Sequence, residues 1–468
     1  MKEFVSDPEF EIISDVCDEL NTACYVIGGY VRDKIMNRSC TDIDIVVDGD
    51  GIAIASKVAE RTKGSSKIVV FKKFGTAMFE YNEKKFEFVG ARKESYRLSS
   101  RKPEVSPGTL EDDQKRRDFT INALAIALNK NEFGKILDPF GGMDDIESKT
   151  IKTPLDPEIT YIDDPLRMMR AIRFATQLEF TIEEESLKAI ALCKERISIV
   201  SQERITEEIN KIILSRQPSI GFKLLFDTGL LQIIFPEMAA LQGVETIQNK
   251  SHKDNFYHTL QVLDNISILS NDLWLRWAAI LHDIAKPLTK RFDTKAGWTF
   301  HGHEDKGARM VPYLFKKLKL PLNEKMKFVQ KLVLLHLRPI VLAQSNVTDS
   351  AVRRLLFEAG HDVDALMLLC QADITSKNEW KVKKYLNNFE LVKQKLIDVE
   401  EQDHLRNWQP PVDGNEIMQL FKLKPGKEIG QLKNALREAI IEGEIKNDRQ
   451  EALEFLNQYA TQIGIAID

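Results

Sequence analysis

Hydrophobic periodicity changes once along this chain, and that change constrains its fold more than any other feature. Up to about residue 140, short runs rich in Val, Ile and Phe and punctuated by Gly or Asn read as strands: CYVIGG, DIDIVV, KIVVF, TAMFEY and KFEFVG. Between the second and third, SKVAERTKG reads as a helix ended by Gly64. After the Gly-rich turn LDPFGGMDD, from Asp138 to Asp145, apolar residues recur at i, i+3 and i+4 in PLRMMRAIRFATQLEF, EESLKAIALCKERI and QERITEEINKIILS. The expected fold is α+β: a small N-terminal mixed sheet followed by a mainly helical remainder.

At 468 residues the chain exceeds one ordinary core, and a length prior suggests roughly three domains. The N-terminus MKEFVSDPEFEIIS lacks the regions of a signal peptide, and no stretch has the 18 uncharged apolar residues of a membrane span. A cytoplasmic location without membrane association is therefore expected. Cys17, Cys24, Cys40, Cys193 and Cys370 are scattered and never spaced as CxxC, so they read as reduced and structural. A net charge of −5 argues against indiscriminate nucleic-acid binding. One stretch departs from that balance: Arg309, Lys316, Lys317, Lys319, Lys325, Lys327, Lys331 and Arg338 stand against a single acid, Glu324. It reads either as a solvated helix face or as a phosphate-backbone contact.

Within the sheet region two strings carry chemistry. GGYVRD, from Gly28 to Asp33, fits a strand-to-helix turn where a missing Cβ lets backbone N–H groups approach a phosphate, with Arg32 within reach of a triphosphate. DIDIVV then places Asp42 and Asp44 at i and i+2 of a strand, on one face, as ligands for hard cations such as Mg²⁺. The DxD spacing also occurs at Asp48/Asp50 and Asp362/Asp364, so only the strand context and the preceding glycines distinguish the first copy. Asp48-Gly49-Asp50 reads as the turn after the strand. Glu87 reads either as a third carboxylate or as a surface strand residue. Further on, LEDDQKRRDFTINALA sets Arg117 and Asp118 before a helix-like apolar run containing Asn122. Arg117 suits a nucleotide phosphate and Asp118 a ribose hydroxyl; a capped, charged helix start is the alternative.

The ordered strings GGYVRD, DIDIVV, RRDFTINALA, LDPFGGMDDI, DDPLRMMRAIRF and ERITEEINKII, over roughly residues 20 to 240, resemble the motif series of class II tRNA nucleotidyltransferases, the CCA-adding enzymes and their poly(A) polymerase relatives. Carried over by position, the resemblance implies that Asp42 and Asp44 bind Mg²⁺ and that Gly28, Gly29, Arg32, Arg117 and Asp118 surround the nucleotide. It also implies that Asp164 and Arg167 form a protein template for C or A, with Arg170 nearby, and Asp163 stands where the family commonly has Glu. A carboxylate offers only acceptors and a guanidinium only donors, so such a pair matches the exocyclic amine and ring nitrogen of cytosine or adenine. Asp164 and Pro165 read equally as a helix start. The implied reaction is attack of an RNA 3′ hydroxyl on the α-phosphorus of CTP or ATP, with pyrophosphate leaving and two metals assisting.

A second set of residues recurs across the helical part. NFYHTLQVL carries His258, LHDIAKP carries His282, Asp283 and Lys286, HGHEDKGA carries His303, LLHLRP carries His336 and CQADITSKN carries Asp373. All but Lys286 are residue types that bind borderline metals. The order His, His-Asp, HxxxGA, His and a late Asp resembles the HD phosphohydrolase superfamily. It implies one or two divalent metals activating water on a phosphoester, with Lys286 available to a phosphate oxygen.

Together the resemblances imply a nucleotidyltransferase head over 1–145, a helical neck and body with the base reader over 146–245, an HD domain over 246–380 and a tRNA-binding helical tail over 381–468. In the tail, YLNNFELVKQKLIDVEEQDHLRN reads as an amphipathic helix. The implied function is addition of CCA to tRNA from CTP and ATP, with no obligate protein partner, and with an RNA substrate implied the basic stretch from Arg309 to Arg338 is expected to contact tRNA phosphates. Rivals are A-only, CC-only or poly(A) addition, or a phosphohydrolase whose N-terminal domain merely binds RNA.

Overall fold

A computed structural model describes residues 2–465 except 63, 73–74, 98–99, 344–347, 376–377 and 404–409; the last four letters of the tail string, 404–407, lie outside the described residues. The chain forms two compact units, 1–236 and 237–468.

The first unit holds the expected mixed sheet. Helix α1 (Pro8–Glu19) precedes β1 (Cys24–Ile27), α2 (Gly29–Ile35), β2 (Asp42–Val47), α3 (Gly51–Arg61), β3 (Val69–Phe71), β4 (Thr76–Tyr81) and β5 (Lys84–Gly90). A hairpin of β6 (Arg92–Arg97) and β7 (Ser100–Pro107) follows, then α4 (Leu110–Lys115), β8 (Ala125–Ala127), β9 (Ile136–Leu137) and α5 (Gly142–Glu147). Seven strands join in the order β3-β4-β5-β2-β1-β8-β9. Only β2 with β5 is a parallel pair in that sheet.

Period-2 alternation decides which face is chemical. Ile43, Ile45 and Val47 of β2 point into a core with Val26, Phe86 and Phe88, covered by Phe10 and Ile13 of α1 and by Ile54 and Val58 of α3. Phe79 stacks on Phe86 and Phe88 at 5.6 and 5.8 Å. Burying each such side chain favours folding by about 2–3 kcal/mol. The opposite face of β2 is thereby left to Asp42 and Asp44. α3 starts earlier than the sequence suggests, because Asp50 caps it by accepting from the Ile52 and Ala53 amides. Its cap at the far end is Thr62, ahead of Gly64.

The apolar run after Asp118 corrects an expectation. It is a 3-10 turn, Thr120–Asn122, followed by β8, rather than a helix. β8 is hydrogen-bonded to β1 on one side and β9 on the other and is fully buried. A strand buried on both faces has no alternation to reveal it.

Helices α6 (Pro157–Asp163), α7 (Leu166–Leu178), α8 (Glu184–Cys193), α9 (Gln202–Ile213), α10 (Ser219–Asp227) and α11 (Leu230–Ile234) follow in this unit. Ile205, Ile209 and Ile212 face inward from α9, and α7 packs against it. The second unit is helical, with two small hairpins, Thr246–Ile247 with Lys250–Ser251 and Arg291–Asp293 with Gly297–Thr299. The tail string falls in the helix Glu379–Asp403. Among the described residues no helix is long and apolar enough to cross a membrane.

The turn from β1 into α2 depends on one glycine. Gly28 has φ +82°, and a Cβ there would lie 2.7 Å from an Arg117 guanidinium nitrogen. At Gly29 the same atom would meet Arg32 at an ordinary 3.7 Å. Gly28→Ala is expected to cost about 1–2 kcal/mol of unfolding free energy by urea titration, and Gly29→Ala much less.

Candidate functional sites

On the open face of the sheet, register places Glu87 of β5 beside Asp44 of β2. Asp42 is exposed, whereas Asp44 and Glu87 are partly buried. Burial pushes the Asp44 carboxyl above its usual range, the Arg117 guanidinium opposes this, and Asp42 adds to it. Burial likewise raises Glu87, with Asp44 and Asp42 contributing. Three carboxylates sharing a face, two of them raised by burial and by their neighbours' charge, form an all-oxygen donor set that suits a hard divalent cation. Of the two readings of Glu87, its place beside Asp44 favours the third carboxylate.

Next to this face runs a continuous polar chain. Arg32 is 8% exposed; its Nη1 donates to Asn122 Oδ1 at 2.7 Å, while Nε and Nη2 donate to Asp33 at 2.9 and 3.0 Å. Asn122 Nδ2 in turn donates to Asp118 Oδ1 at 3.0 Å, and Arg170 Nε donates to Asp118 Oδ2 at 2.7 Å. Arg117 donates to Asp113 at 3.2 Å and to the Asn122 carbonyl at 3.4 Å. Gly28's amide is engaged by the Leu124 carbonyl at 3.0 Å and so is spent inside the protein. Asp164 accepts from the Leu166 amide at 3.3 Å, starting α7, and Arg167 Nη2 donates to the Arg116 carbonyl at 2.5 Å. Every nucleotide-site residue expected from the sequence thus lies in one unit. Asp118 differs in character: it is buried and internally satisfied rather than open to a ribose.

Two residues of this neighbourhood escaped the sequence reading. Glu208 of α9 pairs with Arg173 at 2.9 Å; its signal was an acid on the apolar stripe of Ile205, Ile209 and Ile212. Phe174 underlies three arginines, which nothing in the spacing announced.

In the second unit, His258, His282, Asp283, His303, His336 and Asp373 do converge, lining a cavity of about 330 Å³ with Lys253, Lys286, Tyr385 and Phe389, except that His282 lies behind its wall. Asp283 is central: Oδ2 lies 3.4 Å from His258 Nε2 and 3.2 Å from His282 Nε2, while Oδ1 lies 3.2 and 3.9 Å from the Nε2 atoms of His303 and His336. Asp373 Oδ1 is 3.0 Å from His258 Nε2. His282, His303 and His336 each set Nδ1 against a backbone carbonyl, of Ala279, Phe300 and Val333, at 2.7, 2.8 and 2.7 Å. A carbonyl only accepts, so each Nδ1 carries a proton and each ring turns its Nε2 toward the cluster. His282 Nε2 is buried without an aligned hydrogen-bond partner. The two triads His258/His282/Asp283 and Asp283/His303/His336 each bring their ligand atoms within 4.8 Å of one another. These residues fit divalent metal and would hold it through the ring nitrogens and carboxylate oxygens of the two triads, to both of which Asp283 belongs. Lys286 is engaged with Asp283 Oδ2 at 2.6 Å, so it braces the cluster instead of standing free for phosphate. His252, outside every motif, packs edge-on against Trp298.

The basic stretch is largely neutralised. Arg309 pairs with Asp305, Lys317 with Glu237, Lys327 with Glu324, Lys331 with Asp362 and Arg338 with Glu358. Most of its charge is therefore the solvated, paired face of helices.

Carboxylates on a strand behind a glycine turn, together with a separate histidine-aspartate cluster, define a nucleotidyltransferase carrying a metal-binding helical module. Family models agree: Poly A polymerase head domain matches residues 24–152, the probable RNA and SrmB-binding site of polymerase A matches 179–242, and HD domain matches 255–377. The chain is 32% identical to the A-adding tRNA nucleotidyltransferase of Deinococcus radiodurans, over 76% of this chain and 81% of that protein. It is also 32% identical to the multifunctional CCA protein of Pseudomonas fluorescens, over 64% of this chain and 70% of that one. The Bacillus stearothermophilus CCA-adding enzyme in complex with CTP shares the fold at TM-score 0.67 and 21% identity, covering 98% of this chain and 99% of that one. The Thermotoga maritima CCA-adding enzyme complexed with tRNA aligns at TM-score 0.60 and 22% identity, covering 97% and 96%. The chain belongs to the tRNA nucleotidyltransferase family, a metal-dependent family of enzymes.

Two outcomes are expected. Burial pushes the Asp118 carboxyl up, but Arg170 and Asn122 outweigh it and bring it down to about 2. A depressed folded pKa stabilises above the unfolded value and is lost as pH falls from about 4 toward 2, here worth about 2 kcal/mol. Asp118→Asn should remove that acid-limb loss from the pH profile of stability, and cost about 3 kcal/mol at pH 7 by leaving Arg170 without its counter-charge. Second, Mn²⁺ added to chelator-stripped protein should raise the melting temperature of the second unit by several degrees, and Asp283→Ala should abolish the rise.

Proposed function

We propose that this chain completes the 3′ CCA end of tRNA from CTP and ATP, releasing pyrophosphate. The observation that carries the reading is the juxtaposition of the Asp42, Asp44 and Glu87 face with the polar chain from Arg32 to Arg170. Asp42 and Asp44 are assigned to hold Mg²⁺. When bound, two such ions acidify the attacking 3′ hydroxyl and offset the charge on the departing pyrophosphate. The amides from Gly29 onward, Arg32 and Arg117 compensate the triphosphate charge. Asp118 fixes Asn122 and Arg170 rather than touching the sugar. Asp164 and Arg167 present the acceptor and donor that cytosine or adenine would match and uracil or guanine would leave unpaired.

The division into head 1–145, neck and body 146–245, HD module 246–380 and tail 381–468 forms part of this proposal, as do the tRNA substrate and a cytoplasmic site of action. The HD cluster is assigned metal-dependent phosphoester hydrolysis, on the strength of the inward Nε2 atoms and of Asp283, shared by both triads; a 2′,3′-cyclic nucleotide is the probe for it. A second reading, addition of the terminal A alone, is favoured by the Deinococcus radiodurans relative's name.

One set of incubations separates the readings: tRNA lacking CCA and tRNA ending in CC, each given CTP alone, ATP alone or both. On tRNA lacking CCA, two added residues with CTP and three with both are expected. Extension confined to a CC-ended tRNA with ATP selects the A-adding reading, and no extension under any mixture overturns both. Asp42→Ala should lower incorporation by at least 10³-fold with folding intact.

A further inference from the structure

Phe174 has no part in the reading so far. It lies on α7, 8% exposed, with three guanidinium groups over its ring: Arg173 at 4.0 Å, Arg32 at 5.0 Å and Arg170 at 5.4 Å from the centroid. Phe119 meets it edge-on at 5.8 Å and 82°. Each arginine also has its own acid: Asp33 for Arg32, Asp118 for Arg170 and Glu208 for Arg173. The three pairs arrive from α2, the segment before β8, α7 and α9, and the aromatic ring is their common centre. Three cations converging on one partly dehydrated spot repel one another, and the electron-rich face of an aromatic ring offsets that repulsion where an aliphatic side chain of similar size does not. Burial, opposed by Glu208 and reinforced by Arg170 and Arg32, brings the Arg173 guanidinium down to about 10.

We propose that Phe174 is a positioning residue for nucleotidyl transfer: its ring holds Arg32, beside the glycine turn, and Arg170, on the base-reading helix, in one fixed arrangement, so that triphosphate and base are gripped as a unit. The geometry has the right reach for this. Arg170 and Phe174 are four residues apart on α7 and share a face, while Arg32 comes from a helix at the other end of the polar chain. Loss of the ring's charge distribution would therefore loosen two binding groups together without removing either. The inference rests on Asp42, Asp44 and Arg32 marking the nucleotide site.

The test is a graded one. Phenylalanine at 174 is replaced by mono-, tri- and pentafluorophenylalanine, which keep the shape of the ring while progressively weakening its negative face, and nucleotide addition to tRNA is followed with KM and kcat separated. KM for CTP and ATP is expected to climb stepwise with fluorine count, to about tenfold for the pentafluoro ring, with the melting temperature nearly constant. Phe174→Tyr should stay near wild type, and Phe174→Leu should match the most fluorinated protein. A flat response to fluorination in folded protein overturns the role of Phe174. Asp42→Ala is run alongside: incorporation surviving that change overturns the nucleotide-site assignment itself, whereas an inactive Asp42→Ala with a flat fluorine series overturns only the inference about Phe174.

Discussion

Asp118 is the buried charge around which the nucleotidyltransferase half is organised. A carboxylate removed from water persists only where cations and N–H donors surround it, and here they come from different parts of the chain. The Phe119 amide and Asn122 are local, whereas Arg170 comes from α7. Satisfying that one group orients Asn122, whose side-chain Oδ1 then accepts from Arg32 beside the glycine turn. The turn, the segment before β8 and the helix following Asp164 are thereby tied into one arrangement. Removing Arg170 would leave an uncompensated charge, so the arrangement is specified as well as stabilised.

The two metal-type sites solve the same problem with different chemistry. On the sheet, alternation of side chains sends Ile43 and Ile45 into the core and leaves Asp42 and Asp44 on the open face, so the backbone pleat itself sets the carboxylates side by side. In the helical unit no single element presents more than two ligands. There the rings are aimed individually, with three Nδ1 atoms pinned to carbonyls three residues earlier in the chain. Oxygen donors on an open face suit a hard, exchangeable cation that arrives with a nucleotide, and buried imidazoles around Asp283 suit borderline metals held more tightly.

Much of this was legible from the residues, for physical reasons that can be named. β1, β2, β4 and β5 were readable from Val, Ile and Phe runs set between Gly and Asn, and the i, i+2 spacing in β2 gave the face of Asp42 and Asp44. Amphipathic helices repeat, so α7, α8 and α9 were readable as well. β8 was misread as helical because both its faces are buried, and the β6–β7 hairpin lies in a charged stretch without alternation. Glu208 and Phe174 were missed because their importance comes from partners on other elements. The basic stretch from Arg309 onward looked like a phosphate contact because acids distant in sequence, such as Glu237 and Asp362, supply its counter-charge. Lys286 looked free for a different reason: its partner Asp283 is only three residues away, but spacing alone does not show that the two side chains turn toward each other.

The central claim is that the groups assigned to the triphosphate and those assigned to the base act through one polar network, and a double-mutant cycle tests it most directly. Asn122→Ala cuts the link to Arg32, Arg170→Lys weakens the link to Asp118, and kcat/KM for CTP is measured for each and for the pair. The account predicts that the double variant loses little more than the worse single one, a coupling on the order of 1 kcal/mol or more. Losses that add to within about 0.5 kcal/mol would show two independent sites and contradict it.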